Sequence, residues 1–298
     1  MVNFMYEEEG QGIPLVLISG GPGCTHHGFH PYFSHIKDVA RVIYYDQRGT
    51  GKSSKDDTGK TYTTKQAVED LESLRKALKF NRWALLGHSY GGLLAQCYAL
   101  TYPQHCAGLI LVASQSGVVE PVNKPVRDRM FISQAEDDAI EIVKKKCWDG
   151  KITVAQSIYN QGLLGDWKRK NYYKPTREEI IRAALYGWDP VPGFEESMRS
   201  NMDKIKLKGM FEDFEIPTLI MEGAWDLLWW NPDRAEVMRK NHPHAQVEIF
   251  EKSGHKIFAD EPTKFFTLLK AFLKKANTAK IDYKPGNRLT WPGPFSEK

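Results

Sequence analysis

The stretch that most restricts how this chain can fold is WALLGHSYGGLLAQCYALT, residues 83–101. An apolar run of strand length and an apolar run of helix length meet here with only GHSYGG between them. Such a short link requires a sharp turn, and its glycines let the strand and the helix approach each other closely. The segment therefore predicts a buried strand that passes directly into a helix, with Ser89 at the tip of the turn.

Apolar runs of strand length recur along the chain and alternate with amphipathic stretches. We predict strands at residues 14–19, 41–45, 83–87, 108–113, 217–222 and 246–250. Between the second and third strands, apolar side chains share one helical face, and Thr63 or Thr64 is suited to cap that helix. The alternation predicts an α/β fold with a mostly parallel sheet covered by helices. The residues before the first predicted strand leave little room for another one.

The alternation stops between about residues 114 and 214, where the chain is charged and rich in aromatic residues. Helix-like segments occur there at 137–146 and 177–186, separated by prolines. We interpret residues 117–213 as a helical cap inserted into an α/β core formed by residues 1–116 and 214–298, which end in a tail. The alternative is a run of irregular helices that extends the cover of the sheet.

The charge balance and the apolar runs exclude several classes of protein. The 298 residues contain 41 lysines and arginines against 37 aspartates and glutamates, with no sustained basic stripe that would favour nucleic acid. The apolar runs are too short to cross a membrane, the N-terminus lacks a secretory pattern, and the four cysteines lack disulfide or metal spacing. We expect a cytoplasmic protein; the sequence leaves its oligomeric state open.

Ser89 lies in Gly87-His88-Ser89-Tyr90-Gly91, which fits the G-x-S-x-G pattern of a nucleophilic serine between a strand and a helix. A serine hydroxyl needs a base and an acid that orients the base, and in this setting the acid precedes the histidine in the chain. Asp226 follows the strand at 217–222, and His255 follows the strand at 246–250. We predict these three residues as catalytic. Asp233 is the second choice of acid, although its position resembles a helix start.

An acyl-transfer site also needs backbone donors for the oxyanion. The N–H of Tyr90, directly after the serine, is one candidate. The loop Ser19-Gly20-Gly21-Pro22-Gly23 follows the first core strand, and we assign the second donor to Gly21 because a residue without a side chain lets the substrate oxygen approach.

Together, the segments GGPG, DQRGTGKS, GHSYGG, GAWD and SGHK resemble the α/β-hydrolase fold, and within it the prolyl aminopeptidase (proline iminopeptidase) family and its close relatives. The resemblance implies a Ser89, Asp226 and His255 triad, an oxyanion hole at Gly21, and no cofactor. It also implies a cap whose glutamates bind the free amino terminus of a substrate. Glu195 and Glu196 are the nearest candidates for that role.

The expected substrate is a small peptide, amide or ester. The preferred interpretation is an aminopeptidase that forms an acyl-enzyme and releases N-terminal residues. Trp225 and Trp229 flank the acid and are suited to line an apolar pocket, which would also fit a carboxylesterase or lactonase. A non-catalytic binding protein built on the same scaffold is the alternative from another class.

Two further patterns in the sequence resemble binding sites. Gly51-Lys52-Ser53 resembles the end of a phosphate-binding loop, but the glycine required five positions earlier is Asp46. We interpret Asp46 and Arg48 as structural residues that pin neighbouring loops. Four histidines, at positions 26, 27, 30 and 35, follow the GGPG loop, but no carboxylate or cysteine near them completes a recognisable metal spacing, so the sequence predicts no metal site.

Overall fold

The computed structural model describes residues 3–117, 134–164, 173, 176–187, 189–191, 193–202, 204–226, 234–279, 289 and 291. Seven strands form one sheet in the order β1-β3-β2-β4-β5-β6-β7. They are β1 (Tyr6–Gly10), β2 (Ile13–Ile18), β3 (Ala40–Tyr45), β4 (Trp83–His88), β5 (Cys106–Val112), β6 (Thr218–Gly223) and β7 (Gln246–Phe250). All neighbouring strands are parallel except β1, which pairs antiparallel with β3. The predicted α/β-hydrolase sheet is confirmed.

Strand β1 is the one strand of this sheet that the sequence did not predict. Its residues, YEEEG, are mostly exposed and carry three successive glutamates, so they show no apolar alternation. The strand is held by its pairing with β3 at the sheet edge, and charged side chains are a common way to keep such an edge from pairing with another chain. The expectation that the N-terminus leaves little room for a further strand was wrong, because Tyr6–Gly10 forms one.

The sheet buries both of its faces, and consecutive residues of each strand supply opposite faces. Val16 and Leu85 pack on one face with the helices Thr64–Ala77 and Tyr90–Thr101. Leu15 and Leu86 pack on the other face with the helix Pro262–Thr278. Every residue of β4 and β5 is buried. Continuous apolar runs therefore mark the centre of the sheet, as the sequence predicted.

Helices cover the two faces and fill the connection between β5 and β6. They are α1 (Thr64–Ala77), α2 (Tyr90–Thr101), α3 (Gln134–Trp148), α4 (Val154–Leu163), α5 (Arg177–Tyr186), α6 (Phe194–Met202), α7 (Arg234–Asn241), α8 (Ile257–Asp260) and α9 (Pro262–Thr278). The side chain of Thr63 caps α1 by accepting a hydrogen bond from the N–H of Gln66. None of the described helices has the length and apolar character needed to cross a bilayer.

The strand order determines where a site can form. The chain runs from β2 outward to β3 and then returns to β4 on the opposite side of β2. Such a reversal leaves a crevice at the carboxyl ends of the strands, where ligands bind in open α/β sheets. The GGPG loop follows β2 and Ser89 follows β4, so both lie at this crevice.

Candidate active site

Ser89 lies in a turn that closely packed glycines make possible. It joins β4 to α2 with φ 58° and ψ −124°, a conformation that L-residues rarely adopt. A Cβ on Gly87 would lie 2.3 Å from the carbonyl oxygen of Gly91, and one on Gly91 would lie 2.1 Å from that of Ile18. Side chains at these positions are therefore excluded, and the turn holds Ser89 at the N-terminus of α2, where the helix dipole favours negative charge.

The loop after β2 lies directly against Ser89. A Cβ on Gly20 would approach the Cβ of Ser89 to 2.8 Å and its Oγ to 3.3 Å. Gly21 has φ +111°, in the region that favours glycine. The side-chain amide of Gln47 donates to the carbonyl oxygen of Ser19 at 2.9 Å and holds the start of this loop. Gly20 was not singled out from the sequence, because its contact with Ser89 depends on how β2 and β4 pair.

Asp226 and His255 are in direct contact. The Oδ2 atom of Asp226 lies 2.7 Å from Nδ1 of His255, and both side chains are buried. The two loops that carry them are joined by backbone hydrogen bonds from Ala224 N–H to Phe250 and from Trp225 N–H to Ser253, each 2.9 Å long. An ionised carboxylate only accepts, so Nδ1 of His255 carries the proton of this hydrogen bond.

His88 adds a link that the sequence did not reveal. Its Nε2 atom lies 2.9 Å from the backbone carbonyl oxygen of His255, to which it donates. Burial lowers the pKa of His88 well below its ordinary value, and the nearby Lys256 lowers it further, so the ring is neutral. The residue before Ser89 therefore supports the backbone of His255. No sequence pattern could identify this contact, since it joins two distant loops.

The loop 46–53 is bound to its surroundings by charged side chains. The Nε and Nη2 atoms of Arg48 donate to both carboxylate oxygens of Asp70 on α1, at 2.8 and 2.6 Å. Asp46 accepts from the backbone N–H of His26 and of Lys52. A Cβ on Gly51 would lie 2.2 Å from the Asp46 carboxylate, which fills the space beside the loop.

Of the residues predicted to bind the substrate, the structure describes the side chain of Trp225 alone. Trp225 is 42% exposed, and its indole N–H donates to the carbonyl oxygen of Glu251 at 2.9 Å. Glu195 and Glu196 belong to α6, but their side chains lie outside the described residues. Trp229 and Asp233 also lie outside them.

The helices between β5 and β6 contact the loops around the crevice. Tyr32 donates to Glu179 of α5 at 2.8 Å, and Arg182 donates to the carbonyl oxygen of His30 at 3.1 Å. The hydroxyl of Thr25 donates to the carbonyl oxygen of Tyr186 at the end of the same helix. Helix α5 is thereby attached to the segment that follows the GGPG loop.

Comparison with known proteins identifies the family to which this fold belongs. Residues 13–143 match the family described as the alpha/beta hydrolase fold. The proline iminopeptidase of Saccharolobus solfataricus is 30% identical over 289 residues, covering 90% of this chain and 87% of its own. The chain belongs to the proline iminopeptidase family. A second family member, from Lactobacillus acidophilus, is 30% identical over 268 residues, covering 87% of this chain and 89% of its own.

Membership of the proline iminopeptidase family makes this chain a serine hydrolase. The fold is shared more widely, as in a thermophilic esterase from Thermogutta terrifontis. That structure aligns with a TM-score of 0.70 and 20% identity, covering 93% of this chain and 95% of the esterase. At that identity the likeness describes the fold alone, so the site and its substrate must be argued from this chain's own residues.

Proposed function

We propose that this hydrolase is an aminopeptidase that acts through Ser89, His255 and Asp226 and forms an acyl-enzyme. The observation that carries the proposal is the 2.7 Å contact between Asp226 and His255, in loops that meet the strained turn bearing Ser89. A buried histidine oriented by a carboxylate is the arrangement that activates a serine hydroxyl.

The proposed reaction has two halves. His255 Nε2 takes the proton of Ser89 while Oγ forms a bond to the substrate carbonyl carbon. The C–N bond then breaks, and the same proton passes to the leaving amine. In the second half, water attacks the acyl-enzyme, gives its proton to His255, and frees Ser89 when the proton returns to Oγ.

The negative charge on the substrate oxygen needs two donors. We assign them to the N–H groups of Tyr90 and Gly21. Tyr90 is the first residue of α2, where N–H groups lack an intrahelical acceptor. Gly21 follows Gly20, whose close approach to Ser89 supports this assignment. One such donor accounts for a 10²–10³-fold effect on kcat, roughly, in enzymes of this kind.

The family supports the proposed substrate class. Relatives named proline iminopeptidase match most of this chain, and on that basis we propose a small peptide or amide with a free N-terminus as the substrate. We also propose that residues 117–213 form a cap over the crevice, which the contacts of Thr25, Tyr32 and His30 with α5 support. Glu195 and Glu196 would supply the carboxylates that a substrate ammonium requires.

Covalent labelling tests the nucleophile. A fluorophosphonate probe is expected to label the wild type and not Ser89→Ala. Ser114→Ala is the matched control, because Ser114 is also buried and lies against the same turn, beside Gly92. Labelling that persists in Ser89→Ala, or no labelling of the wild type, would refute the mechanism and favour a non-catalytic binding protein.

A substrate panel tests the class. Proline and alanine naphthylamides with a free amine, their N-acetylated forms, and short p-nitrophenyl esters are compared at equal concentrations. An aminopeptidase cleaves the free-amine amides and loses activity on the acetylated ones. Cleavage of the esters alone would favour a carboxylesterase or lactonase.

Asp226→Asn is expected to lower kcat by about 10⁴-fold, because the imidazole would be held in the wrong tautomer.

A further inference from the structure

A carboxylate and two histidines converge at the sheet edge formed by β1. Glu7 is on β1, whereas His26 and His30 lie at the two ends of a short 3₁₀ segment after the GGPG loop. One potential ligand atom from each lies within 4.8 Å of the others. The Nε2 atoms of His26 and His30 are 3.6 and 3.3 Å from the two oxygens of the Glu7 carboxylate.

His26 is oriented as a metal ligand would be. Its Nδ1 atom lies 2.7 Å from the Asp46 carboxylate, which also accepts the backbone N–H of His26 at 3.0 Å. Because that carboxylate accepts, Nδ1 carries a proton, which leaves Nε2 as the ring nitrogen on the side of Glu7, 3.6 Å from its carboxylate. The His26 side chain is 1% exposed, and its Nε2 has no hydrogen-bond partner among the described residues. A buried polar atom of this kind calls for an explanation.

The three potential ligands lie close enough together to share one ion. Zinc bonds of about 2.0–2.1 Å in a tetrahedral arrangement place neighbouring ligand atoms about 3.3–3.4 Å apart. One potential ligand atom of each residue already lies within 4.8 Å of the others, and the two histidines approach different oxygens of Glu7 at 3.6 and 3.3 Å, so side-chain shifts of about 1 Å would bring the three to that spacing. A carboxylate that orients a ligating histidine through its other nitrogen is the usual outer partner in zinc sites, and Asp46 has this position.

We propose that Glu7, His26 and His30 bind one divalent transition metal ion, zinc in preference, with Asp46 as the positioning residue for His26. Water would complete the fourth position, since Glu7 is 47% exposed and His30 31% exposed. The sequence concealed the site because its carboxylate comes from β1, the unpredicted strand, and not from the neighbourhood of the histidines. The site is separate from Ser89, and the proposed hydrolysis does not need it.

The metal would hold together parts of the molecule that meet at the crevice. His30 and Thr25 bond to helix α5, and the ring of His27 stacks on Tyr186 at 5.6 Å between centroids. A metal ion between His26, His30 and Glu7 would fix this segment to the edge of the sheet. Binding is therefore expected to raise the melting temperature, because the unfolded chain lacks the preformed site.

The competing explanation is that His26 is a protonated imidazolium between two carboxylates. A metal-binding measurement distinguishes the proposed metal site from this imidazolium. The full-length protein is stripped with chelator, desalted, and titrated with Zn²⁺ against a chromophoric chelator, and bound metal is counted by elemental analysis. We expect one equivalent for the wild type, with affinity at least tenfold lower in Glu7→Gln and His30→Gln.

Matched controls keep the test decisive. Glu8→Gln changes the adjacent β1 carboxylate, which pairs with Arg41, and His35→Gln changes a histidine outside the cluster. Both should bind zinc like the wild type. Glu7 is half exposed, so Glu7→Gln should remain folded, which circular dichroism checks. Binding below one equivalent, or equal affinity in Glu7→Gln and Glu8→Gln, would overturn the proposal in favour of the imidazolium.

Discussion

The imidazole Nε2 of His88 lies 2.9 Å from the backbone carbonyl oxygen of His255, so the neighbour of the proposed nucleophile supports the proposed base. We predict that His88→Phe lowers kcat about tenfold with little change in KM. The carbonyl would lose its buried donor, which costs about 1–3 kcal/mol, and the His255 loop would lose a support.

The measurement is steady-state kinetics together with the rate of fluorophosphonate labelling, at a temperature where the variant is fully folded. His105→Phe is the control, because His105 makes the same kind of contact, 2.8 Å to the carbonyl oxygen of Asn81, at an exposed position. A purely structural role for His88 would leave kcat of the folded enzyme unchanged.

Gly91 is expected to tolerate no side chain. In Gly91→Ala the new Cβ would lie 2.1 and 2.7 Å from the carbonyl oxygens of Ile18 and Ser19, which are backbone atoms of a central strand and its loop. We predict a loss of about 3 kcal/mol or more in unfolding free energy, together with lost activity. At Gly59, φ is +68° and an added Cβ would have no neighbouring atom of the described residues within 4 Å. Gly59→Ala should therefore lower the unfolding free energy by only about 1 kcal/mol. Equal losses of unfolding free energy in urea denaturation would show that the clash at Gly91 does not determine the effect.

Two arginine pairs with the same bidentate geometry differ in burial. Arg48 and Asp70 have side chains 14% and 7% exposed, whereas Arg41 and Glu8 are 41% and 38% exposed. Arg48→Ala would leave a buried carboxylate without its cation and should reduce the unfolding free energy by about 3 kcal/mol. Arg41→Ala should cost less than about 1 kcal/mol. Denaturation at low and at moderate salt measures the unfolding free energy of each variant. Similar losses in Arg48→Ala and Arg41→Ala would contradict the structural role of Arg48.

His242 is expected to make the fold sensitive to acid. Burial lowers its pKa from 6.5 to about 3, and its Nε2 contacts Oε1 of Gln96 at 3.1 Å. In the unfolded chain His242 becomes protonated below about pH 6.5, whereas in the folded protein it stays neutral until about pH 3. Acidification through this range therefore favours the unfolded state. Through His242 the unfolding free energy falls by about 1.4 kcal/mol per pH unit, or by about 2 kcal/mol between pH 6.5 and pH 5.

Urea denaturation at several pH values tests this. His242→Gln should show a shallower loss of stability on acidification, although buried His88 acts in the same direction and remains. His244→Gln changes an exposed histidine two residues away and should follow the wild type. An unchanged slope in His242→Gln would contradict the prediction.

The sequence predicted the buried strands well because parallel strands at a sheet centre need continuous apolar runs. Strand β7 was predicted with its observed bounds, and β4 ends one residue later than expected. Strand β1 was missed because its charged and mostly exposed residues show no apolar alternation. The positions of Ser89, Asp226 and His255 at strand ends could be inferred, since parallel strands end at one edge of the sheet.

Contacts that depend on tertiary packing could not be inferred. The approach of Gly20 to Ser89, the bond from His88 to His255, and the meeting of Glu7 with His26 each join distant segments. Their residue types are compatible with many other arrangements. The registers of β1 against β3 and of β2 against β4 help to bring Glu7 and Gly20 to their partners, whereas the bond from His88 to His255 depends on the loops that follow β4 and β7.

The connection between β5 and β6 starts and finishes on strands that pair directly, Leu109 beside Thr218. Because these strands are parallel, the two ends lie at the carboxyl end of β5 and the amino end of β6, on strands about 4.8 Å apart, and the sheet fixes them whatever the intervening helices do. This connection can therefore become longer, become shorter or be replaced without moving the strand ends that carry Ser89 and Asp226. Substrate choice in such a protein is free to diverge while its chemistry is inherited unchanged.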